Sequence, residues 1–165
     1  MINLNLRCHS LRWIWIAIIV AIIDISSKEW IIQHLILHES ISIIPLFNFY
    51  YTRNFGAAFS FLSNQDGWHR WLLSSITGML IMVLLVKIYF YYTNDKYNSL
   101  FYTLIIGGAL GNLYDRIYRG FVIDFIDFYI GKWHFATFNI ADSAICMGSI
   151  LLILRKIIKH KNKKS

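Results

Sequence analysis

The sequence has little of what usually stabilises small secreted or soluble domains. Only 2 cysteines and 1 proline occur among 165 residues, and charged residues make up 15% of the chain. Cys8 precedes the first apolar run and Cys146 lies inside the last one, which leaves no plausible disulfide framework. A soluble domain normally carries about a quarter charged residues. The scarcity of charge, with 57% hydrophobic residues and a mean hydropathy of +0.50, therefore indicates a protein of the lipid bilayer.

Sequence motifs of several catalytic classes are also missing. The chain has no G-x-S-x-G nucleophile elbow and no phosphate-cradling loop, and Cys146 has no adjacent base. His34 and His38 have the helical spacing of two metal ligands, but HLILH lacks the glutamate of the HExxH pattern and a third ligand. We therefore expect neither a metal ion nor another cofactor.

Positive charge is concentrated at the carboxyl end of the chain. The net charge is +7, and the last eleven residues, RKIIKHKNKKS, hold six of the sixteen lysines and arginines. Such a tail is typical of a cytoplasmic segment facing anionic lipid head groups. We expect it to contact membrane lipid and not nucleic acid.

Four apolar segments are long enough to cross a bilayer, which makes the whole chain, 1–165, a single integral membrane domain. These segments are roughly 12–28, 70–92, 98–115 and 139–158. Basic residues favour the two termini and the middle connection, so both termini are expected in the cytoplasm. No A-x-A-like cleavage site follows the first segment, so we expect it to be retained. Gly107 and Gly111 share one helical face and predict close approach of a neighbouring helix.

Two loops should then lie on the outer side of the membrane. In the loop over 29–69, EWIIQHLILHES has amphipathic spacing and predicts a surface helix. The aromatic-rich segment after it is interrupted by Pro45 and Gly56 and predicts short strands. In the second loop, FYIGKWHF places aromatic residues on both sides of Gly131-Lys132, which predicts a tight hairpin at the membrane surface.

Ionisable residues near the outer face are the candidates for chemistry, because charge at membrane depth is costly. They are Asp24, Lys28, Asp115, Arg116, Asp124, Asp127 and Asp142. The predicted topology brings the segment ends that carry them to one side. The apolar neighbours of Asp124, in FVIDFIDF, and of Asp142, in FNIADSAI, should raise the carboxyl pKa values. Two such carboxyls close together can share a proton and hydrolyse a peptide bond.

Each of these residues also has a structural interpretation. Asn139 and Asp142 have the spacing of a helix N-cap and the acidic third residue of the helix. Asp127 is expected to face solvent. Asp115 with Arg116 is a candidate structural ion pair or interface anchor. Asp24 with Lys28 is a candidate helix-face salt bridge at the membrane interface.

Two rival functions use the same residues differently. Carboxylates within a helix bundle can form a proton or ion path, but such paths distribute acids through the membrane depth, whereas these acids collect at one face. A non-catalytic membrane scaffold or binding subunit would keep the fold without needing both Asp124 and Asp142.

Five segments, in order, resemble the lipoprotein signal peptidase family. They are DISSK at 24–28, NFGAAFSFL at 54–62, GGALGNLYDR at 107–116, VIDF at 122–125 and FNIAD at 138–142. The resemblance implies an all-α membrane enzyme with four transmembrane helices, a small extracytoplasmic β-cradle and a surface amphipathic helix. It also implies cleavage of diacylglyceryl-modified prolipoproteins immediately before the lipidated cysteine, by a monomer in the bacterial inner membrane whose site is near the periplasmic face.

Carried over by motif, the catalytic aspartates of this family correspond to Asp124 and Asp142. The residues implied in substrate binding and support are Asp24, Lys28, Asn54, Gly56, Gly108, Asn112, Asp115, Arg116, Asn139 and Ala141. The three asparagine amides are expected to hold the extended substrate backbone. One departure is visible, since family members often have a proline shortly before the FN pair, where this chain reads HFATFN.

Overall fold

A computed structural model describes residues 13–56, 68–91 and 96–162 of the chain. Cys8 and the part of NFGAAFSFL from residue 57 onward lie outside the described residues, so the strand prediction there stays untested.

Four long helices follow the four apolar segments of the sequence. They are α1 (Ile14–His34), α2 (Trp68–Tyr91), α3 (Lys96–Tyr118) and α4 (Ile140–Asn162). At 1.5 Å per residue, helices of 21 to 24 residues are about 32–36 Å long, which matches a hydrocarbon core of about 30 Å. Among the described helices, α2 over Trp68–Phe90 is the one whose length and apolar composition both suffice to cross a membrane.

The surface helix predicted for EWIIQHLILHES is wrong. Its first residues continue α1, which ends at His34, and Leu35 takes an extended conformation. Ile31 and Leu35 are 1% and 5% exposed because they pack against the sheet. The side of this stretch that carries Ile31 and Leu35 is therefore covered by the protein's own strands.

Four antiparallel strands form one sheet in the order β1-β2-β3-β4. They are β1 (Ser40–Ile44), β2 (Phe47–Asn54), β3 (Val122–Ile130) and β4 (Trp133–His134). The predicted hairpin at Gly131-Lys132 is confirmed, and Gly131 has the positive φ of 62° that its turn requires. The sheet thus joins the two loops that were expected on one side of the helices.

Helix α3 lies at the centre of the bundle and packs on the other three helices. Its glycines allow close approach: a Cβ at Gly107 would clash with Ala17 and Val20, and one at Gly111 with Asp24. The predicted close packing along this face is therefore confirmed, with α1 as the neighbour.

An apolar cluster fixes the sheet to the end of α1. Ile31 and Leu35 pack there with Tyr51, Ile123 and Phe125, all of them at most 5% exposed. Because Ile123 and Phe125 flank Asp124 in the chain, this cluster also fixes the position of that carboxylate over the helix ends.

Candidate active site

The predicted site residues come together beside the middle of α1, where α3 ends, α4 begins and the sheet covers them. Hydrogen bonds and ion pairs between side chains join eight of them in one network: Asp24, Lys28, Asn54, Asn112, Asp115, Asp124, Asn139 and Asp142. The expected convergence of the acids is therefore observed, with the exception of Asp127.

Asp124 is a buried carboxylate held by two amides. It pairs with Thr52 across β2 and β3 and is 3% exposed. Asn139 donates to its Oδ1 at 2.7 Å and Asn54 to its Oδ2 at 3.0 Å. Burial raises the pKa of Asp124 to about 6, with repulsion from Asp142 adding to the rise and the two amide hydrogen bonds opposing it.

Asp142 lies in the first turn of α4, where it forms a reciprocal cap with Asn139. The Asp142 backbone N–H donates to Asn139 Oδ1 at 2.8 Å, and the Asn139 N–H donates to Asp142 Oδ2 at 3.3 Å. The capping interpretation is thus confirmed. It leaves Asp142 Oδ1 facing Asn112, whose Nδ2 donates to it at 2.8 Å.

The amide of Asn112 connects the two acids to a buried lysine. Its Oδ1 accepts from Lys28 Nζ at 2.9 Å and from Asn139 Nδ2 at 3.3 Å, so its Nδ2 is directed to Asp142. In this structure the three asparagines thus orient the carboxylates, whereas the sequence predicted that they hold substrate backbone.

Lys28 is fully buried between two aspartates. Its Nζ lies 2.7 Å from Asp24 Oδ2 and 3.1 Å from Asp115 Oδ2, and all three side chains are 0% exposed. Asp24 also accepts the Ala141 N–H at 2.8 Å, which ties α1 to the start of α4. The predicted Asp24–Lys28 pair is therefore present, but inside the protein and not at an exposed interface.

The ion pair predicted between Asp115 and Arg116 is wrong. Asp115 pairs with Lys28 and with Arg119, and it accepts the Ile123 N–H at 3.0 Å. Arg119 also binds Glu29 at 2.6 Å. The i,i+4 spacing from Asp115 to Arg119 was the signal that sequence reasoning missed.

Arg116 and two small residues complete the site. Arg116 lies within electrostatic range of Asp142, Asp115 and Asp124, and its guanidinium donates to the Asn112 carbonyl at 3.5 Å. A Cβ at Gly108 would clash with the Ala141 carbonyl, so α3 and α4 approach closely here. Gly56 has a φ of 90°, and its N–H donates to Asn54 Oδ1 at 2.8 Å, which fixes the amide that contacts Asp124.

Asp127 does not face solvent as the sequence predicted. It is 3% exposed and accepts from Asn48 Nδ2 at 3.3 Å and from His134 Nδ1 at 2.9 Å. Because β3 is covered on both faces near its middle, its alternating pattern did not distinguish an inward acid from an outward one.

The described residues contain no group of three or more His, Cys, Asp or Glu side chains that could hold a metal ion. His34 Nδ1 lies 2.8 Å from the Trp30 carbonyl, and His38 Nδ1 lies 3.2 Å from the Tyr50 hydroxyl. The two histidines therefore face different partners and not one common site.

Comparison with known proteins decides the family. The family model described as signal peptidase (SPase) II matches residues 16–158. The chain belongs to the signal peptidase II family. A lipoprotein signal peptidase of Photorhabdus laumondii is 52% identical over 153 residues, covering 93% of this chain and 92% of that protein. One of Serratia proteamaculans is 48% identical over 155 residues, covering 94% and 92%.

A solved structure described as a bacterial membrane enzyme has the same fold. It aligns with a TM-score of 0.80 at 33% identity, covering 92% of this chain and 91% of that one. Membership in the signal peptidase II family makes this chain a protease, and its polar network lies in the matched region.

Proposed function

We propose that this chain is a membrane aspartic endopeptidase that removes the signal peptide from diacylglyceryl-modified prolipoproteins by cleaving before the lipidated cysteine. The observation that carries the proposal is the pair of carboxylates, Asp124 and Asp142, bridged by the amides of Asn112 and Asn139. The relatives named lipoprotein signal peptidase support the substrate class.

The proposed enzyme spans the bacterial cytoplasmic membrane four times, as one domain and as a monomer. Large apolar side chains on the outward faces of the helices support this arrangement, since soluble proteins rarely expose such patches. They include Ile18, Ile22, Met79, Met82, Ile153 and Ile157, each at least 53% exposed. Both termini lie in the cytoplasm, as the basic end of α4 favours, and the site lies near the outer face.

The proposed reaction uses the two acids without a metal or a covalent intermediate. The raised pKa of Asp124 favours its protonated form, so Asp124 is the proposed acid, and Asp142, in the first turn of α4, is the proposed base. Asp142 takes a proton from water as the oxygen attacks the scissile carbonyl, and Asp124 donates its proton to the carbonyl oxygen. Asp142 then returns a proton to the leaving amine as the C–N bond breaks, and Asp124 recovers its own when the new acid forms.

The test is cleavage of a diacylglyceryl-modified precursor by the purified protein in lipid vesicles. We expect the wild type to cleave it and to leave an unlipidated precursor intact. Asp124→Asn and Asp142→Asn should each lower kcat by about 10²–10⁴-fold, which is the contribution of general acid–base steps.

Asp127→Asn is the matched control, since Asp127 lies on the same strand but is bound by Asn48 and His134. It should retain cleavage. Full activity in either Asp124→Asn or Asp142→Asn would reject the catalytic pair, and failure of the folded wild type to cleave would reject the function.

A further inference from the structure

A groove runs along the side of α4 that faces away from the other helices, from the candidate site toward the middle of the helix. It has a volume of about 630 Å³, and Asp142 lines one end. The segment 135–138 forms one wall, and Cys146, Met147 and Ile150 belong to the floor. From Asp142 to the last lining residue, Leu151, the helix rises about 14 Å.

The groove is built into the fold. Its floor residues recur at three- and four-residue intervals, so they share one face of α4. Its wall is fixed to β3, because the Phe135 N–H donates to the Phe128 carbonyl at 2.8 Å and the Phe138 N–H to the Ile126 carbonyl at 3.1 Å. Polar side chains occur only toward the Asp142 end, and the remaining lining is apolar apart from the weakly polar Cys146.

We propose that this groove binds one fatty acyl chain of the substrate's diacylglyceryl group, an inference that rests on the proposed function. The lipidated cysteine directly follows the scissile bond, so its glyceryl group must lie within a few bonds of Asp124 and Asp142. A chain leaving that point needs an apolar path that begins at the acids, and this groove begins at Asp142. Met147 and Ile150 are 57% and 50% exposed, which leaves the groove open to a chain entering sideways from the bilayer.

The test is a comparison of two substrates that differ in chain length. Precursor peptides carrying dibutyrylglyceryl or dipalmitoylglyceryl cysteine are cleaved by the full-length protein in detergent, and the ratio of their kcat/KM values is measured. We expect the wild type to favour the longer chain. Met147→Trp and Ile150→Trp fill the groove at two depths. Each should lower that ratio by at least about tenfold, which corresponds to about two methylenes of the acyl chain losing contact with the groove.

Ile153→Trp is the matched control, because Ile153 is 60% exposed on the same helix but does not line the groove. Its ratio should equal that of the wild type. An unchanged ratio in both groove variants would overturn the inference, and so would an equal loss on both substrates, which would indicate that the signal peptide occupies the groove. A wild type that cleaves neither substrate would reject the proposed function itself.

A second measurement does not depend on how the tryptophan variants fold. A dipalmitoyl precursor with a photoreactive group at the end of its acyl chains is bound to Asp124→Asn and irradiated. Cross-links within Met147–Leu151 support the inference, and cross-links confined to other helices contradict it.

Discussion

Asp124 and Asp142 carry the same functional group in different surroundings. Asp124 is buried on a strand and accepts two amide hydrogen bonds, whereas Asp142 is half-buried and caps a helix. Burial raises the pKa of Asp124 and so favours its neutral form, whereas Asp142 lies at a helix N-terminus. Two chemically identical side chains therefore differ in their surroundings before substrate binds.

The raised pKa of Asp124 makes the stability of the protein depend on pH. A carboxyl that binds its proton more tightly in the folded state stabilises that state at pH 4 and below, and this contribution is lost as the pH rises through about 6. Asp124→Asn cannot ionise. From pH 4 to pH 7, the melting temperature of the wild type should therefore fall relative to that of Asp124→Asn by several degrees, on the order of 5 °C. Intrinsic tryptophan fluorescence during heating would measure both melting temperatures. A difference between them that does not change with pH would contradict the raised pKa of Asp124.

At the scale of whole elements, the sequence was informative wherever apolar length decides the structure. The four helices and the hairpin at Gly131 were predicted because long apolar runs and a glycine turn have few alternatives. The extension of α1 to His34 was missed because amphipathic spacing cannot tell a face covered by lipid from one covered by a sheet. The buried state of Asp127 depends on Asn48, which is 79 residues away. Such pairings are set by tertiary packing and leave no local signal.

The approach of α3 to α1 gives a prediction about glycine. A Cβ at Gly111 would overlap Asp24 Oδ2, whereas a Cβ at Gly78 in α2 would have no neighbouring atom within 4 Å. Gly111→Ala should destabilise the protein by about 1–3 kcal/mol through overpacking and should reduce cleavage by displacing the Asp24–Lys28 pair. Gly78→Ala, as the matched control, should be neutral or stabilising by up to about 1 kcal/mol. Equal melting temperatures for the two variants would show that this helix contact is not tight.

A polar side-chain contact lies within the β3–β4 hairpin, beside its backbone pairing. His134 Nδ1 lies 2.9 Å from Asp127 Oδ2, and Asn48 is the other partner of that buried carboxylate. His134→Ala removes one of the two and should cost about 1–3 kcal/mol, or roughly 2–10 °C in melting temperature. His160→Ala, at an exposed position near the end of α4, is the control and should melt with the wild type. A stable His134→Ala protein would mean that Asn48 alone satisfies Asp127.

Across the whole molecule, one buried cation links the helices to the acids. Lys28 on α1 contacts Asp115 and Asn112 on α3, and Asp115 in turn accepts the Ile123 N–H beside Asp124. The same lysine therefore connects α1 to α3 and is linked to both carboxylates, to Asp142 through Asn112 and to the backbone beside Asp124 through Asp115. A bundle without these buried charges would avoid the cost of placing charge at membrane depth, but it would not hold the two acids in one geometry.

A double-mutant cycle at Lys28 and Asp24 tests how this buried cation is coupled to its partners. Lys28→Met leaves Asp24 and Asp115 buried with one fewer positive charge and should cost about 3–5 kcal/mol of stability. Adding Asp24→Asn removes one unpaired acid, while Asp115 keeps Arg119 as its partner. The double variant should therefore be more stable than Lys28→Met alone, with a coupling of about 1–3 kcal/mol. It should still cleave poorly, because Asn112 has lost the nearer of the two donors that direct its amide to Asp142. The exposed-site control Lys132→Met should match the wild type in both stability and cleavage. Additive losses in stability would mean that Lys28 and Asp24 act independently.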